Sequence, residues 1–498
     1  MSPCRLWSGY VSSTLSETSL VQRPRRFFLC LILVTALGAL DHTIVATALP
    51  DIAGELGSPQ RTSWVVAAYT LAITAAMPAV GALGDRFGRR QVLAGSVLVF
   101  LIASVACGLA TGIEMLALAR FFQGLGGAGL LVLPQAVVAD VVPVRERAAY
   151  LGPLGAVFAV ATVVSPLLGG WLTDFASWRW TFWINLPIGA LALLFVLVAV
   201  PGTGVPVTSA RPRFDTVGAA LIAVSAVGFV LVASAAGEAG WTPGVAVGAA
   251  LTAVLTAVTL WWESRCALPV LPVRTLVRGV VAQCCALGLL AGLGLFGALA
   301  YVPMWVEGIH GSSATVSGLM LLPVTLGIVA GINGSGLAVR KWGLWRPFPV
   351  AGCATAIGAG AALAVLSSSH PPLPVIALLL MLLGLGAGLF MQVVVVVAQD
   401  AAGREAAGAV TAGLSFLREL GVLAGAVVLG AVAAHGLGGS TDGARTAAEY
   451  GAAFTPVFAV TAACFAAGLV VALFLPKGRL GRRPDDRASG GAAAPPSA

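Results

Sequence analysis

Residues 81–90 read Gly81-Ala82-Leu83-Gly84-Asp85-Arg86-Phe87-Gly88-Arg89-Arg90 and join two apolar runs, 62–83 and 92–110. A helix needs about 20 residues to cross a hydrocarbon core of roughly 30 Å, and both runs approach that length. The link therefore turns the chain round between two membrane spans. Two glycines permit a tight turn, while Asp85 can accept from neighbouring arginines or cap a helix N-terminus. A plain basic anchor would account for Arg86, Arg89 and Arg90 but not for Asp85 with Gly81, Gly84 and Gly88 around it. A cluster of this kind can hold two helix ends together and let them go when packing changes, so residues 81–90 are expected to form a gate.

The rest of the chain agrees with a lipid solvent. Of 498 residues, 58% are hydrophobic and 10% charged, with a mean hydropathy of +0.97. A soluble domain carries about 25% charge. Fourteen apolar stretches read as spans: 27–49, 62–83, 92–110, 115–138, 148–171, 180–200, 215–236, 243–262, 279–303, 315–338, 346–366, 373–397, 405–433 and 451–475. An even number puts both termini on one side. With the termini inside, 23 of the 28 basic residues fall in cytoplasmic segments, and the outer loops hold only Arg61, Arg179 and Arg445, as the positive-inside rule requires.

Several functions are excluded by the same distribution. The basic residues are dispersed over many short loops rather than gathered in one stripe, which argues against nucleic acid as a partner. The only lysines, Lys341 and Lys477, are followed by Trp342 and Gly478, so no GxxxxGK(S/T) phosphate loop exists and ATP is not expected as the energy source. Eight cysteines lie mostly in apolar runs without CxxC spacing, which indicates neither a disulfide framework nor a metal site. Residues 1–26 lack an apolar core with a cleavage site and are expected to remain as a cytoplasmic segment. The Ala/Gly/Pro/Ser-rich end from Arg482 is expected to be disordered.

The few charges inside spans carry the chemistry. Asp41 sits in the first span, where a carboxylate is costly and by default faces the bundle interior or a water-filled cavity on an ion or substrate path. His42, about 100° round the helix, is expected to point elsewhere, as a structural polar contact or a proton relay. Arg120 in the fourth span cannot lose its proton and needs a partner; the alternative is a guanidinium that snorkels to the cytoplasmic surface. Gln123 follows one turn later. Gly124–Gly129 matches GxGxxG, but with no strand before it the match is a decoy, and small residues at this density let helices pack. In the thirteenth span Arg418 and Glu419 are adjacent and cannot face the same way, so each needs its own partner or water. Gly384, Gly386 and Gly388, and Gly421 with Gly425, read as packing surfaces.

The motifs together resemble the major facilitator superfamily. Residues 81–90 resemble its signature loop. Leu40-Asp41-His42-Thr43-Ile44 onward, and Ala119-Arg120-Phe121-Phe122-Gln123-Gly124, resemble the first- and fourth-span motifs of its fourteen-span drug:proton antiporters. The likeness continues through Trp178, Arg179, Trp180 and Phe182 with Asn185, Pro187 and Gly189, then Phe214-Asp215, Pro303, Gly318 and Pro323. There are two departures. The span-5 antiport motif, usually GxxxGPxxGG, here has Ala161 and Ser165 before Pro166, Gly169 and Gly170. The counterpart of the signature loop, Gly336 to Gly343, carries Arg340 and Lys341 but no acid.

By that resemblance the fold is all-α: two six-helix bundles, 27–200 and 279–475, with an inserted pair at 201–278, between segment 1–26 and tail 476–498. The implied function is proton-coupled efflux of an amphipathic drug or antibiotic by a multi-pass protein of the cell membrane, with Asp41 and Arg120 as coupling residues and the proton gradient in place of a cofactor. A transporter of another solute, a siderophore, sugar or amino acid, would share the fold. A membrane-embedded enzyme would need a catalytic cluster that His310, His370 and His435, all in outer loops, do not supply.

Overall fold

The computed structural model describes residues 24–56, 63–200, 214–240, 242–312, 314–403, 406–436, 447–478 and 480. Expectations for residues 1–23, the loops at 57–62 and 437–446, the linker 201–213, Arg404, Arg479 and the tail from 481 lie outside the described residues.

Fourteen long helices match the expected spans: α1 (Pro24–Ile44), α2 (Ser63–Phe87), α3 (Arg89–Gly108), α4 (Ile113–Val141), α5 (Val144–Phe175), α6 (Trp180–Ala199), α7 (Thr216–Ala239), α8 (Pro243–Arg265), α9 (Gly279–His310), α10 (Val316–Trp342), α11 (Pro347–Leu366), α12 (Leu373–Ala402), α13 (Ala407–Gly436) and α14 (Ala447–Leu473). In hydrocarbon every backbone N–H and C=O must be paired inside the protein, and a helix does this within one segment. Among the described residues thirteen of these helices are long enough and apolar enough to cross a bilayer; α5 makes the fourteenth when its two arms, bent by 41° between Ala161 and Val164, are taken together. Pro166 sits one turn beyond the bend. It lacks an N–H, and its ring clashes with the carbonyl four residues earlier.

The packing repeats. In the first half α4 lies against α2 and α3, α1 against α5 and α6, and α3 against α6. In the second half α12 lies against α10 and α11, α9 against α13 and α14, and α11 against α14. Each contact thus recurs eight helices later. The halves meet along two seams of the same kind, α5 on α10 and α13 on α2, while α7 pairs with α8 and rests on both α2 and α13 across one seam.

Glycines set the distances. Lipid is as apolar as leucine, so close van der Waals packing must hold the helices together. A methyl group on Gly331 would meet the Leu385 carbonyl at 2.6 Å, and Gly384 and Gly388 on α12 press on the carbonyls of Val324 and Ile328. Gly421 and Gly425 face Leu289 and Leu293 of α9 in the same way, and Gly126 seats α4 on the Ser96 carbonyl of α3. The dinucleotide-like string is a packing surface.

Residues 81–90 differ from expectation. α2 runs on to Phe87, Gly88 alone leaves the helix with φ +90°, and α3 begins at Arg89. One glycine makes the whole turn because only a residue without a Cβ adopts that φ cheaply. Gly81 and Gly84 are helical and serve packing instead, against Ala412 and Leu133.

At the opposite end of the first half, a short helix (Leu49–Leu56) is tied to the start of α6. The Arg179 guanidinium lies 2.6 Å from Glu55 Oε1, and the Trp178 indole donates to Oε2 at 2.6 Å. Hydrogen bonds from Arg179 and then Trp178 hold the Glu55 carboxyl below the usual carboxylate range. A depressed folded pKa adds stability above the unfolded value, lost as pH falls through the folded one. The pair is half exposed, so Glu55→Gln is expected to cost at most about 1 kcal/mol at neutral pH. The gap to wild type should narrow as pH falls below the unfolded carboxylate pKa and close below the folded one. Melting followed by tryptophan fluorescence across pH checks both; a gap that widens on acidification would reverse the assignment.

Candidate functional site

Asp41 and Arg120 form a wholly buried ion pair, Nη1 to Oδ2 2.6 Å. Five helices build it. Asp41 ends α1, Arg120 and Gln123 share one face of α4, Ser104 comes from α3, Asn185 from α6, and Val65 and Tyr69 from α2. Asp41 Oδ1 accepts from Gln123 Nε2 at 2.9 Å and from Asn185 Nδ2 at 2.7 Å. Gln123 Nε2 also donates to Ser104 Oγ at 2.6 Å, and its Oε1 accepts from Arg120 at 2.8 Å. The guanidinium stacks 3.8 Å from the centre of the Tyr69 ring, whose face attracts a cation. The carboxylate thus has a charged partner and two further donors, the condition under which a buried charge is tolerated. Arg120 does not snorkel, because its counter-charge lies inside the bundle.

His42, one residue on, turns the other way, into a cavity of about 820 Å³ between the halves. Its ring stands edge to face with Tyr69 at 5.9 Å, so Tyr69 separates the charge pair from the cavity wall. α1, α2, α4 and α5 line one side, and α9, α10, α12 and α13 the other. The wall is mostly apolar, with Phe158, Leu131, Phe296 and Met391, and is interrupted by Gln135, Gln392, Arg418 and Glu419.

The halves touch at the end that carries Asp85. Asp85 accepts from the Ala409 N–H of α13 at 2.9 Å and is paired with Arg89, which in turn lies 2.6 Å from Asp140. Asp85 therefore accepts from an arginine on its own side and caps a helix N-terminus on the other. Of the three arginines only Arg89 reaches it; Arg90 donates to the Leu197 carbonyl and Arg86 lies 5.1 Å from the Phe87 ring. Gly336 of the counterpart segment packs against the Ala148 carbonyl, and Gly343 closes α10 at φ +70°. Toward the other end the cavity residues Leu167 and Leu319 are 66% and 44% exposed.

The sequence model of the Major Facilitator Superfamily matches residues 31–426. The chain belongs to this superfamily. An MFS-type transporter of Mycobacterium tuberculosis strain H37Rv is 39% identical over 412 residues, 82% of this chain and 59% of its own length, so the chain spans little more than half of that relative. The multidrug transporter MdtP of Bacillus subtilis is 32% identical over 407 residues, covering 81% of this chain and 74% of its own. Among solved structures, the human organic anion transporter MFSD10 superposes with a TM-score of 0.63 at 18% identity, over 91% of this chain and all of that one. The proton:xylose symporter XylE gives 0.60 at 14% identity, over 91% and 96%. At those identities the structures share the fold.

Within this superfamily fold the expected site residues separate into three places. Asp41, Arg120 and Gln123 meet in the buried pair, and His42 lies in the cavity. Gly81, Gly84, Asp85, Arg86, Gly88, Arg89 and Arg90 lie at the closed end. In the span-5 motif, Pro166 lines the cavity, Ser165 donates to the Ala161 carbonyl at 2.5 Å, and Gly169 packs on the end of α1 against Ile44 and Thr47. Gly170 is not a packing residue, since a Cβ there would meet open space. Arg418 and Glu419 also differ from expectation: both line the cavity and their charged ends come within 3.9 Å. Their Cβ directions diverge by about 100°, but both side chains are long enough for their charged ends to meet in the cavity. Ser104 and Tyr69 were not foreseen, because a serine or tyrosine within a span costs too little to stand out.

Proposed function

We propose that the chain exports a small amphipathic organic compound across the cell membrane in exchange for protons, by alternating access, with both termini cytoplasmic and the Asp85 end facing the cytoplasm. The observation that carries this reading is the Asp41–Arg120 pair, buried one residue from the wall of a cavity enclosed by both halves. The names of several relatives, multidrug transporter among them, support the cargo class. The basic residues support the orientation.

In this reading the cavity as described faces outward. A proton arriving from outside neutralises Asp41, and Arg120, unable to lose its own proton, is left without its counter-charge. Gln123, Asn185 and Tyr69 must then rearrange, and they sit on α4, α6 and α2. The ends of α1 and α4 are repositioned, and α2 carries the change to its other end, where Asp85 holds α13. Loss of that hold opens the cytoplasmic side, where cargo enters as the proton leaves. Each proton moving inward contributes about 2.3 kcal/mol per 100 mV of membrane potential.

Expression in a host lacking its own pumps tests this. Wild type should confer resistance to amphipathic toxic compounds, and collapse of the proton gradient should end their efflux from loaded cells. Asp41→Asn should confer none when compared at matched amounts in the membrane. Equal resistance from the mutant would remove Asp41 from the coupling, and labelled compound accumulating inward with the gradient would reverse the direction.

A further inference from the structure

We infer that the cavity is built for a cargo without net charge, an amphipathic molecule bearing hydroxyl, carbonyl or amide groups, and that it disfavours permanent lipophilic cations. This deepens the transport reading above and rests on it.

The first observation is charge balance. Among the described residues only three titratable side chains line the cavity: His42, Arg418 and Glu419. Arg418 Nη2 and Glu419 Oε1 are 3.9 Å apart, too far for a hydrogen bond yet close enough for each charge to offset the other. Both are largely buried, with 17% and 14% of the side-chain surface exposed. A cation entering here would leave its water without gaining an unshared carboxylate, and an anion would gain no unshared guanidinium. Asp41 adds nothing to this wall, because its oxygens are taken by Arg120, Gln123 and Asn185.

The second observation is independent of charge. Four residues of the cavity wall each have a buried side-chain oxygen with no hydrogen-bond partner among the described residues: Thr35 Oγ1, Thr43 Oγ1, Gln135 Oε1 and Gln392 Oε1. Thr35 and Gln392 are more than nine-tenths buried. Buried polar atoms are nearly always paired, and leaving one unpaired is costly. These four come from α1, α4 and α12, so each half contributes at least one. A cargo with O–H or N–H groups would satisfy these oxygens once their side chains turn toward it, with its apolar part against Phe158, Phe296 and Met391. A quaternary cation has no hydrogen to donate. A volume of about 820 Å³ admits a molecule of ordinary drug size.

The test is equilibrium binding to the purified full-length protein in lipid nanodiscs, with empty nanodiscs subtracted. Three probes serve: chloramphenicol, a neutral amide diol; tetraphenylphosphonium, a cation; and tetraphenylborate, an anion. Wild type should prefer chloramphenicol. Arg418→Gln, which leaves Glu419 unshared, should raise cation affinity about tenfold, and Glu419→Gln should do the same for the anion. The double variant should return to the wild-type order, which guards against misreading a single variant that folds poorly. Gln392→Leu should weaken chloramphenicol and leave both ions unchanged. Wild-type affinity for the cation at or above that for chloramphenicol, or single variants that leave the order unmoved, would overturn the inference. Failure of the transport reading looks different: the charge response would be present, yet proteoliposomes would not move chloramphenicol against a proton gradient.

Discussion

Replacing Arg120 by alanine will abolish transport and lower stability by about 3–5 kcal/mol, the range for breaking a buried pair from one side. The loss is large because Asp41 stays behind, wholly buried, with only Gln123 and Asn185 to hold its charge. Asp41→Asn leaves the mirror problem, a guanidinium stacked on Tyr69 without a counter-ion. The double variant Asp41→Asn/Arg120→Gln carries no buried charge, and its two amides can bond each other. Its stability should return most of the way to wild type, so the single losses will be far from additive. Transport should not return, because neither residue can then change its charge. Melting temperature and proton-driven uptake into inverted vesicles separate the two. Proton-dependent transport by the double variant would make the pair a structural tie.

The parts of this site that were legible in the sequence were those whose cost is high. A carboxylate or guanidinium inside an apolar run must have a reason, so Asp41 and Arg120 stood out, as did Asp85 among its arginines. Gly384 with Gly388 and Gly421 with Gly425 were legible for a related reason, since a spacing of four places each pair on one helix face, while Gly386 turns to α11 instead. What completes the site is cheaper. Ser104, Tyr69 and the glutamines of the cavity wall cost little in a span, and only three-dimensional packing tells a satisfied amide such as Gln123 from one with an oxygen left over such as Gln392. The pairing of Arg418 with Glu419 was missed because helix geometry fixes where a side chain starts and not where a long one ends. The position of α7 across the α2–α13 seam left no trace in a sequence of apolar residues that reads alike on every face.

Leucine at Gly81 will hold the Asp85 end apart and trap the chain with its cavity open toward that end. Gly81 faces Ala412, and Gly408 lies beneath Arg89 and Asp85, so the contact between α2 and α13 depends on there being no side chain at either glycine. The substitution touches the seam and not the packing within either half. Its overpacking cost of about 1–3 kcal/mol therefore falls on one conformation rather than on folding. Set against a two-state equilibrium, that cost shifts the populations by roughly 5–150-fold. A cysteine at Leu319, in a Cys266→Ser background, reads one side of the equilibrium, and a cysteine at Ala409 reads the other. Gly81→Leu should slow labelling of the first by an impermeant maleimide and speed labelling of the second, with transport at background and the melting temperature little changed. Gly334→Leu, where a side chain meets open space, should leave all of these as in wild type. If Gly81→Leu labels like wild type at both positions, the contact between Asp85 and Ala409 does not depend on this glycine and the closed end must be held elsewhere. The remaining candidate is then the second seam, where Gly336 meets the Ala148 carbonyl, and leucine at Gly336 should reproduce the trapped state if the two seams open together.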